Sequence, residues 1–235
     1  MRIGFVIWLS CIILSASAQQ KIRLQFRNKV GDDLLQLGAT YKNPFGEILV
    51  INKFRYYVSN IRLIDVNGQS ISVSKDDYLI DEADSASKVI ILKTFVTQIS
   101  AIEFLLGVDS IRNISGVQIG ALDPMHGMFW TWNSGYIMAK LEGVSPSAKV
   151  PGNLFSHHIG GFKSGENVRR YVRLNIGENI KTNYLKIIIE VDINQWFQST
   201  HNIKIADHPI CHSPGNLAMQ IADNYATMFK IVSIN

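Results

Sequence analysis

The sequence predicts an all-β protein, an antiparallel β-sandwich with one helix close to the C-terminus. Two observations indicate this fold class. Short segments rich in Ile, Val and Phe are separated by turn signals, and one late stretch has apolar residues at helical spacing. The chain has no internal repeat and no low-complexity linker. Its 235 residues therefore suit a leader, residues 1–18, followed by a single domain, residues 19–235.

The strands are predicted from alternation and from apolar runs. In the first, residues 21–30, Ile22, Leu24 and Phe26 alternate with polar residues, which is typical of a half-buried strand. Asn67-Gly68 predicts a two-residue hairpin turn of type I′. Further strands are expected at residues 47–65, 88–95, 100–108, 136–141, 154–159, 171–176, 184–193 and 230–234.

The late helix is predicted from its start signal and its apolar stripe. Ser213 is a suitable N-cap, and Pro214 would take the first helical position, where its missing N–H costs nothing. Trp196 and Phe197, ahead of the helix, are expected to cap the core. The stripe that the helix should bury consists of Leu217, Ile221, Tyr225, Met228 and Phe229.

The first residues have the three parts of a signal peptide. Arg2 precedes an apolar run, residues 3–14, and a small-residue cleavage site ends at Ala18. The run is too short to cross a bilayer as a helix, which needs about 20 residues. No later segment is long and apolar enough to act as a membrane anchor. We therefore expect cleavage near Ala18 and a periplasmic or secreted protein.

Composition limits the partners and the chemistry. The formal net charge is only +4 and the basic residues are scattered, which argues against a nucleic-acid partner. After cleavage Cys211 would be the one cysteine left, either a buried, inert thiol or a functional one. The chain has no GxSxG, Walker or HExxH motif, so we do not expect an enzyme.

The most distinctive stretch is LDPMHGMFWTWNSGYIMAKLEG, residues 122–143. Asp123-Pro124 and residues 133–135 flank its centre with turn chemistry. On an extended strand, side chains alternate between faces, so Met128, Trp130 and Trp132 should share one face. The plain interpretation of these rings is the core of a β-protein, because aromatics dominate cores by buried area.

Several motifs together resemble the MbnP family of methanobactin-associated copper-binding proteins. They are LDP-x2-GMFWTWNSGY-x4-LEG at residues 122–143, FRYYVSNIRL at 54–63, LLGVDS at 105–110, HIGG at 158–161 and IADNY at 221–225. The resemblance implies that the first tryptophan of WxW, here Trp130, is oxidised to kynurenine by a di-haem partner of the cytochrome c peroxidase/MauG type. It also implies that the modified protein then binds one copper ion. Some relatives have a histidine where this chain has Asn28, so one ligand would be missing.

Elementary chemistry agrees with this implication. An indole N–H is a donor only, whereas ring opening to kynurenine creates an amine and a ketone with lone pairs to offer. Imidazole and thioether suit copper, and thioether suits Cu(I) in particular, so Met128 is a candidate soft ligand. Alternation groups His157 with Phe155 and does not choose between His157 and His158. The resemblance selects His158, the first residue of HIGG.

His212 is the second candidate imidazole ligand. It directly precedes the predicted helix, whose positive dipole end disfavours an imidazolium and would keep the ring neutral and ready for a metal. A capping or surface role for His212 stays open.

Two functions follow from the sequence. The first is an exported copper-binding protein, matured by the di-haem partner and used in copper handling, with Trp130, His158, His212 and Met128 at the metal. The second is a non-metal β-sandwich module that binds a carbohydrate or another protein through its aromatic strand.

Overall fold

A computed structural model describes residues 19–96, 98–132, 135–177 and 184–235. The predicted signal peptide and the predicted turn residues 133–134 lie outside this part of the chain. Within it, the strands are β1 Gln20–Val30, β2 Asp33–Leu34, β3 Thr40–Lys42, β4 Ile48–Asp65, β5 Ser70–Asp81, β6 Val89–Thr94, β7 Ile99–Leu106, β8 Phe129–Trp130, β9 Gly135–Val144, β10 Leu154–Gly160, β11 Arg170–Asn175, β12 Tyr184–Asp192, β13 Ile210–Cys211 and β14 Phe229–Ile234.

The prediction of an all-β sandwich is confirmed. One sheet has the strand order β14-β12-β1-β2, with β6 also paired to β1. The other has the order β11-β7-β4-β9-β10-β13, and β3 and β5 pair with the long strand β4 while β8 pairs with β9. The strands predicted at the listed ranges all occur, with bounds that shift by a few residues. The strand at the tryptophans is only β8, which ends at Trp130, and Trp132 lies in a turn, so the prediction that Trp132 shares a strand face with Met128 and Trp130 is wrong.

Two pairings depart from a strictly antiparallel arrangement. β1 is parallel to β12, and β10 is parallel to β13. Each pair joins strands that are far apart in the sequence, and such long connections permit parallel neighbours, whereas a tight hairpin forces antiparallel ones. The second of these pairings brings residues 210–212 alongside β10.

The core lies between the two sheets and is rich in aromatic rings. Phe26 of β1 meets Tyr56 and Phe104 edge-to-face, each at 6.2 Å between ring centroids, so the two sheets interlock through rings. Trp196 and Phe197 are buried, as the sequence predicts for residues that cap the core. They form a short helix, α2 Asn194–Phe197.

The helices differ in detail from the sequence prediction. A short helix, α1 Ser110–Ile114, occurs in a segment with no helical periodicity, and its Asn113 is buried. The late helix is α3 Asn216–Tyr225, with Gly215 at the N-cap instead of Ser213. Gly215 has φ 139°, a conformation that breaks the helical path between Pro214 and the helix. The predicted N-cap and first position are therefore wrong.

The hairpin at Asn67-Gly68 exists, but its turn is not type I′. A type I′ turn needs positive φ at both central residues, and only Gly68, at φ 82°, has it. The Asp65 carboxylate accepts the backbone N–H groups of Asn67 and Gln69 at 2.8 and 2.7 Å. These hydrogen bonds to the Asp65 carboxylate stabilise a turn other than type I′.

Candidate metal centre

Strand β10 sends two neighbouring histidines to opposite faces of its sheet. His157 points into the core with Phe155 and is fully buried, whereas His158 is half-buried on the outer face with Ser156. Both ring nitrogens of the buried His157 have hydrogen-bond partners within the protein. Its Nε2–H donates to the His208 carbonyl at 2.7 Å, and its Nδ1 accepts the Trp196 indole N–H at 3.0 Å.

The parallel strand β13 places His212 beside His158. Ser156 pairs with Ile210 and His157 with Cys211, so the next residues along both strands, His158 and His212, fall side by side on the outer face. Their rings stack with centroids 4.2 Å apart and planes at 24°. The sequence alone gave no signal for this pairing, because a strand of two residues has no periodicity to detect.

A carboxylate fixes the proton on His158. Hydrogen bonds from His158 and then from Lys53 outweigh partial burial and lower the pKa of Glu142 to about 2. Glu142 is thus an acceptor only at neutral pH, and the His158 Nε2–H donates to its Oε1 at 2.6 Å. The lone pair of a neutral His158 then lies on Nδ1. A metal-ligating histidine commonly has its second ring nitrogen held by a carboxylate in this way.

Ser156 links the two rings. Its Oγ lies 3.1 Å from Nε2 of His158 and 2.8 Å from Nε2 of His212. The pKa of His212 is lowered, first by desolvation and then by the neighbouring His158. His212 as a whole is exposed, and both causes disfavour its protonated form.

Two cationic side chains on the sheet that contains His158 hydrogen-bond to the segment that carries Trp130. Arg55 and Lys140 lie in one cross-strand row with His158. The Arg55 guanidinium donates to the His126 carbonyl at 2.7 Å, and the Lys140 ammonium donates to the Gly127 carbonyl at 2.5 Å. His126 and Gly127 come shortly before Trp130 in the sequence, so these two hydrogen bonds hold the Trp130 segment against the sheet.

Trp130 rests on a glycine of β10. A Cβ added to Gly160 would lie only 2.5 Å from Cζ3 and 2.8 Å from Cη2 of the Trp130 ring. Gly160 follows His158 by two residues in β10, and the pairing of β10 with β9 shifts its register between Ile159 and Gly160. The structure therefore places the Trp130 ring against β10 two residues beyond His158, and Trp130 is itself part of the hydrophobic core cluster, with an exposed fraction of 6%.

Comparison with known proteins agrees with the fold and shows the family. The family model MbnP matches residues 19–213. The chain belongs to the MbnP family. The solved structure of MbnP from Methylosinus trichosporium has a TM-score of 0.56 and 16% sequence identity, and the match covers 79% of this chain and 80% of that chain. At this identity the likeness shows the fold alone. No curated protein matches the chain.

Two candidate positions of this MbnP-family chain lie in the interior. Met128 is completely buried in the hydrophobic core cluster, and its role as a soft ligand stays a prediction. Asn28 is buried in β1, where its amide donates to Glu82 at 2.7 Å and its carbonyl accepts from the Tyr56 hydroxyl at 3.0 Å. These bonds use Asn28 structurally, so it is not a free substitute for an imidazole.

The side chains around His158 and His212 supply only some of the ligands that a copper ion needs. In the described residues, no group of three or more His, Cys, Asp or Glu side chains is placed to hold a metal. His158 and His212 supply two imidazoles, which suit copper, and Glu142 is occupied by the His158 N–H. A copper site here needs a further ligand, and Trp130 is the candidate that lies against β10, at Gly160, two residues beyond His158.

The structure tests two predictions about residues 211 and 212, one on the Cys211 thiol and one on the position of His212 relative to the helix. Cys211 is buried, and burial raises the pKa of its thiol to about 11, which matches the inert alternative. The helix-dipole argument for His212 is wrong, because His212 follows β13 and is separated from α3 by Gly215.

None of the helices in the described ranges is long and apolar enough to cross a membrane.

Proposed function

We propose that the protein is exported and binds copper at Trp130, His158 and His212 after Trp130 has been oxidised to kynurenine by a di-haem partner. Membership in the MbnP family supports a methanobactin-associated, copper-related role at the level of the family. The observation that carries the proposal is the placement of the Trp130 ring on Gly160, two residues along β10 from His158.

Each residue has a defined part in this proposal. Glu142 holds the Nε2 proton of His158 and leaves Nδ1 to bind the metal. His212 provides a neutral imidazole. Ring opening of Trp130 provides an aromatic amine, which turns a side chain without a free lone pair into a ligand. These nitrogen donors suit copper, and the Cu(I) state is the one that a thioether ligand such as Met128 would favour.

Burial of Trp130 supports its maturation in place. The ring is almost completely buried and lies against Gly160, two residues along β10 from His158, so we propose that the new amine forms close to the two imidazoles. The chain would then act as the substrate of its partner, and we propose no enzymatic activity of its own.

The test combines intact mass and copper content of folded protein purified with and without the di-haem partner. Wild type with the partner should gain the mass of about 4 Da that ring opening with loss of the formyl carbon requires, and should hold one copper. Trp130→Phe should show neither change. His158→Ala should gain the mass and lose the copper, because oxidation acts on the indole and needs no imidazole.

His201→Ala is the matched control for His158→Ala. His201 is also a partly buried histidine paired with a carboxylate, Asp223 at 3.2 Å, but it lies on a different segment. The control should keep both the mass gain and the copper. Equal copper in wild type and Trp130→Phe would refute the copper mechanism. It would favour the second function, a non-metal β-sandwich module for which the exposed Trp132 is the contact residue.

A further inference from the structure

Two tryptophans of the WxW motif differ sharply in exposure but touch each other. The exposed fraction is 6% for Trp130 and 63% for Trp132. Their ring centroids are 5.2 Å apart, with planes at 40°. Strand β8 ends at Trp130, so the contact does not come from strand alternation. The chain turns at Thr131 and Trp132, and the second indole covers the first.

We propose that Trp132 is the entry point through which an external oxidant withdraws electrons from Trp130. The inference rests on the proposed function in one respect, the oxidation of Trp130. A protein oxidant cannot touch a ring that is almost completely buried, but it can touch Trp132. An electron then moves from Trp130 to the oxidised Trp132 across rings in contact, and Trp132 returns to its starting state.

The neighbouring oxidisable rings do not offer the same route. Tyr136 pairs with Phe129 across the β8–β9 hairpin, and its hydroxyl donates to the Leu122 carbonyl. Tyr57 packs edge-to-face on Tyr136 at 6.0 Å. Both tyrosines are buried, with exposed fractions of 1% and 0%, so neither presents a ring to a protein at the surface.

The overall reaction balances without a second protein substrate. Tryptophan and three waters give kynurenine, formic acid, four protons and four electrons. The four electrons leave one at a time through Trp132, and no atom of Trp132 is gained or lost. The acceptor is an oxidised haem protein, and two molecules of hydrogen peroxide, reduced to water, regenerate it. The oxygen atoms enter at Trp130 from water that reaches the ring.

A test that needs no partner uses photogenerated tris(bipyridine)ruthenium(III), a bulky one-electron oxidant. The full folded chain is irradiated, and peptide mass spectrometry measures oxidation at residue 130. Trp132→Phe removes the oxidisable ring, whereas Trp132→Tyr keeps one. We expect oxidation of Trp130 to fall by an order of magnitude or more in Trp132→Phe and to stay near the wild-type yield in Trp132→Tyr.

Tyr171→Phe is the control, because Tyr171 is an oxidisable ring that is exposed on another strand. It should leave oxidation of Trp130 unchanged. Oxidation of Trp130 in Trp132→Phe at the wild-type yield would overturn the inference. An equal fall in Trp132→Phe and Trp132→Tyr would overturn it too, because contact and not electron transfer would then be the role of the ring.

The same variants with the di-haem partner separate this inference from the proposed function. A mass gain in wild type and Trp132→Tyr, and little in Trp132→Phe, supports both. If the partner never converts wild type while the ruthenium result holds, the proposed function fails and the route through Trp132 stands. Circular dichroism and urea midpoints, measured on each variant, confirm that the compared proteins are folded.

Discussion

Gly160→Ala directly tests the contact between the Trp130 ring and Gly160. The added Cβ would lie 2.5 Å from Cζ3 of Trp130 and 2.9 Å from the backbone carbonyl oxygen of Tyr136. Non-bonded carbons prefer about 3.5–4.0 Å, so the ring must retreat by roughly 1 Å and the β9 backbone must also shift. Overpacking of this kind costs about 1–3 kcal/mol. The φ of Gly160 is not positive, so alanine adds no backbone strain. We expect a folded protein whose Trp130 is displaced from the two histidines.

The assay measures urea unfolding, the mass gain of kynurenine and the copper content of the partner-treated protein. Gly38→Ala is the stability-matched control. Gly38 has φ 85° and open space around its Cα, so alanine costs about 1–2 kcal/mol through strain alone. The control should retain copper, and Gly160→Ala should not. Unchanged copper in folded Gly160→Ala would refute the placement of Trp130 at the site.

A double-mutant cycle sharpens this result. Trp130→Phe removes Cζ3 and Cη2, the two ring atoms nearest to the added methyl. Gly160→Ala should therefore cost less in the Trp130→Phe background, with a coupling energy of about 1–2 kcal/mol, while the part of the cost that comes from the Tyr136 carbonyl remains. Additive costs would show that the two residues are not in contact.

Two further predictions concern stability. Glu47 accepts the backbone N–H groups of Ile205 and Ala206 at 2.8 Å each, so Glu47→Gln should lower the free energy of unfolding by about 1–3 kcal/mol, and an unchanged urea midpoint would contradict this. Burial lowers the pKa of His157 to about 4 from 6.5. The unfolded chain therefore binds this proton more readily, so stability is complete above pH 6.5 and falls as the pH drops towards 4. His157→Gln should remove that part of the pH dependence, measured by urea unfolding between these limits.

The sequence predicts most of the fold because strand patterns are local. Alternation in β10 correctly separates His157 from His158, since one side of the sheet is core and the other is not. The long strand β4 and the late helix α3 are also predicted from their own residues. The parallel partners are not predicted, because no local pattern records which distant segment lies alongside a strand.

The supporting residues of the site were missed for the same reason. Lys140 belongs to the apolar run at residues 136–141, which the sequence predicts only as a strand, and Glu142 directly follows that run. The alternation of these two polar residues with Leu141 was the available signal for an outer-face position. Arg55 lies on β4, and nothing in its neighbourhood indicates that it reaches the His126 carbonyl. Gly160 was visible in HIGG, but its contact with Trp130 depends on how a separate segment folds over the sheet.

The stacked histidines must part if one metal ion binds both. The lone pair of an imidazole lies in the ring plane, and two rings stacked at 4.2 Å and 24° direct their lone pairs side by side instead of at a common point. His158 is anchored by Glu142, whereas His212 is exposed and held through Ser156, so His212 is the ring that turns. Copper should therefore shift the ring proton resonances of His212 strongly, through loss of the ring current of His158. In Trp130→Phe, the same copper addition should leave them in place. A full shift of His212 in Trp130→Phe would show that the two imidazoles capture the metal without kynurenine.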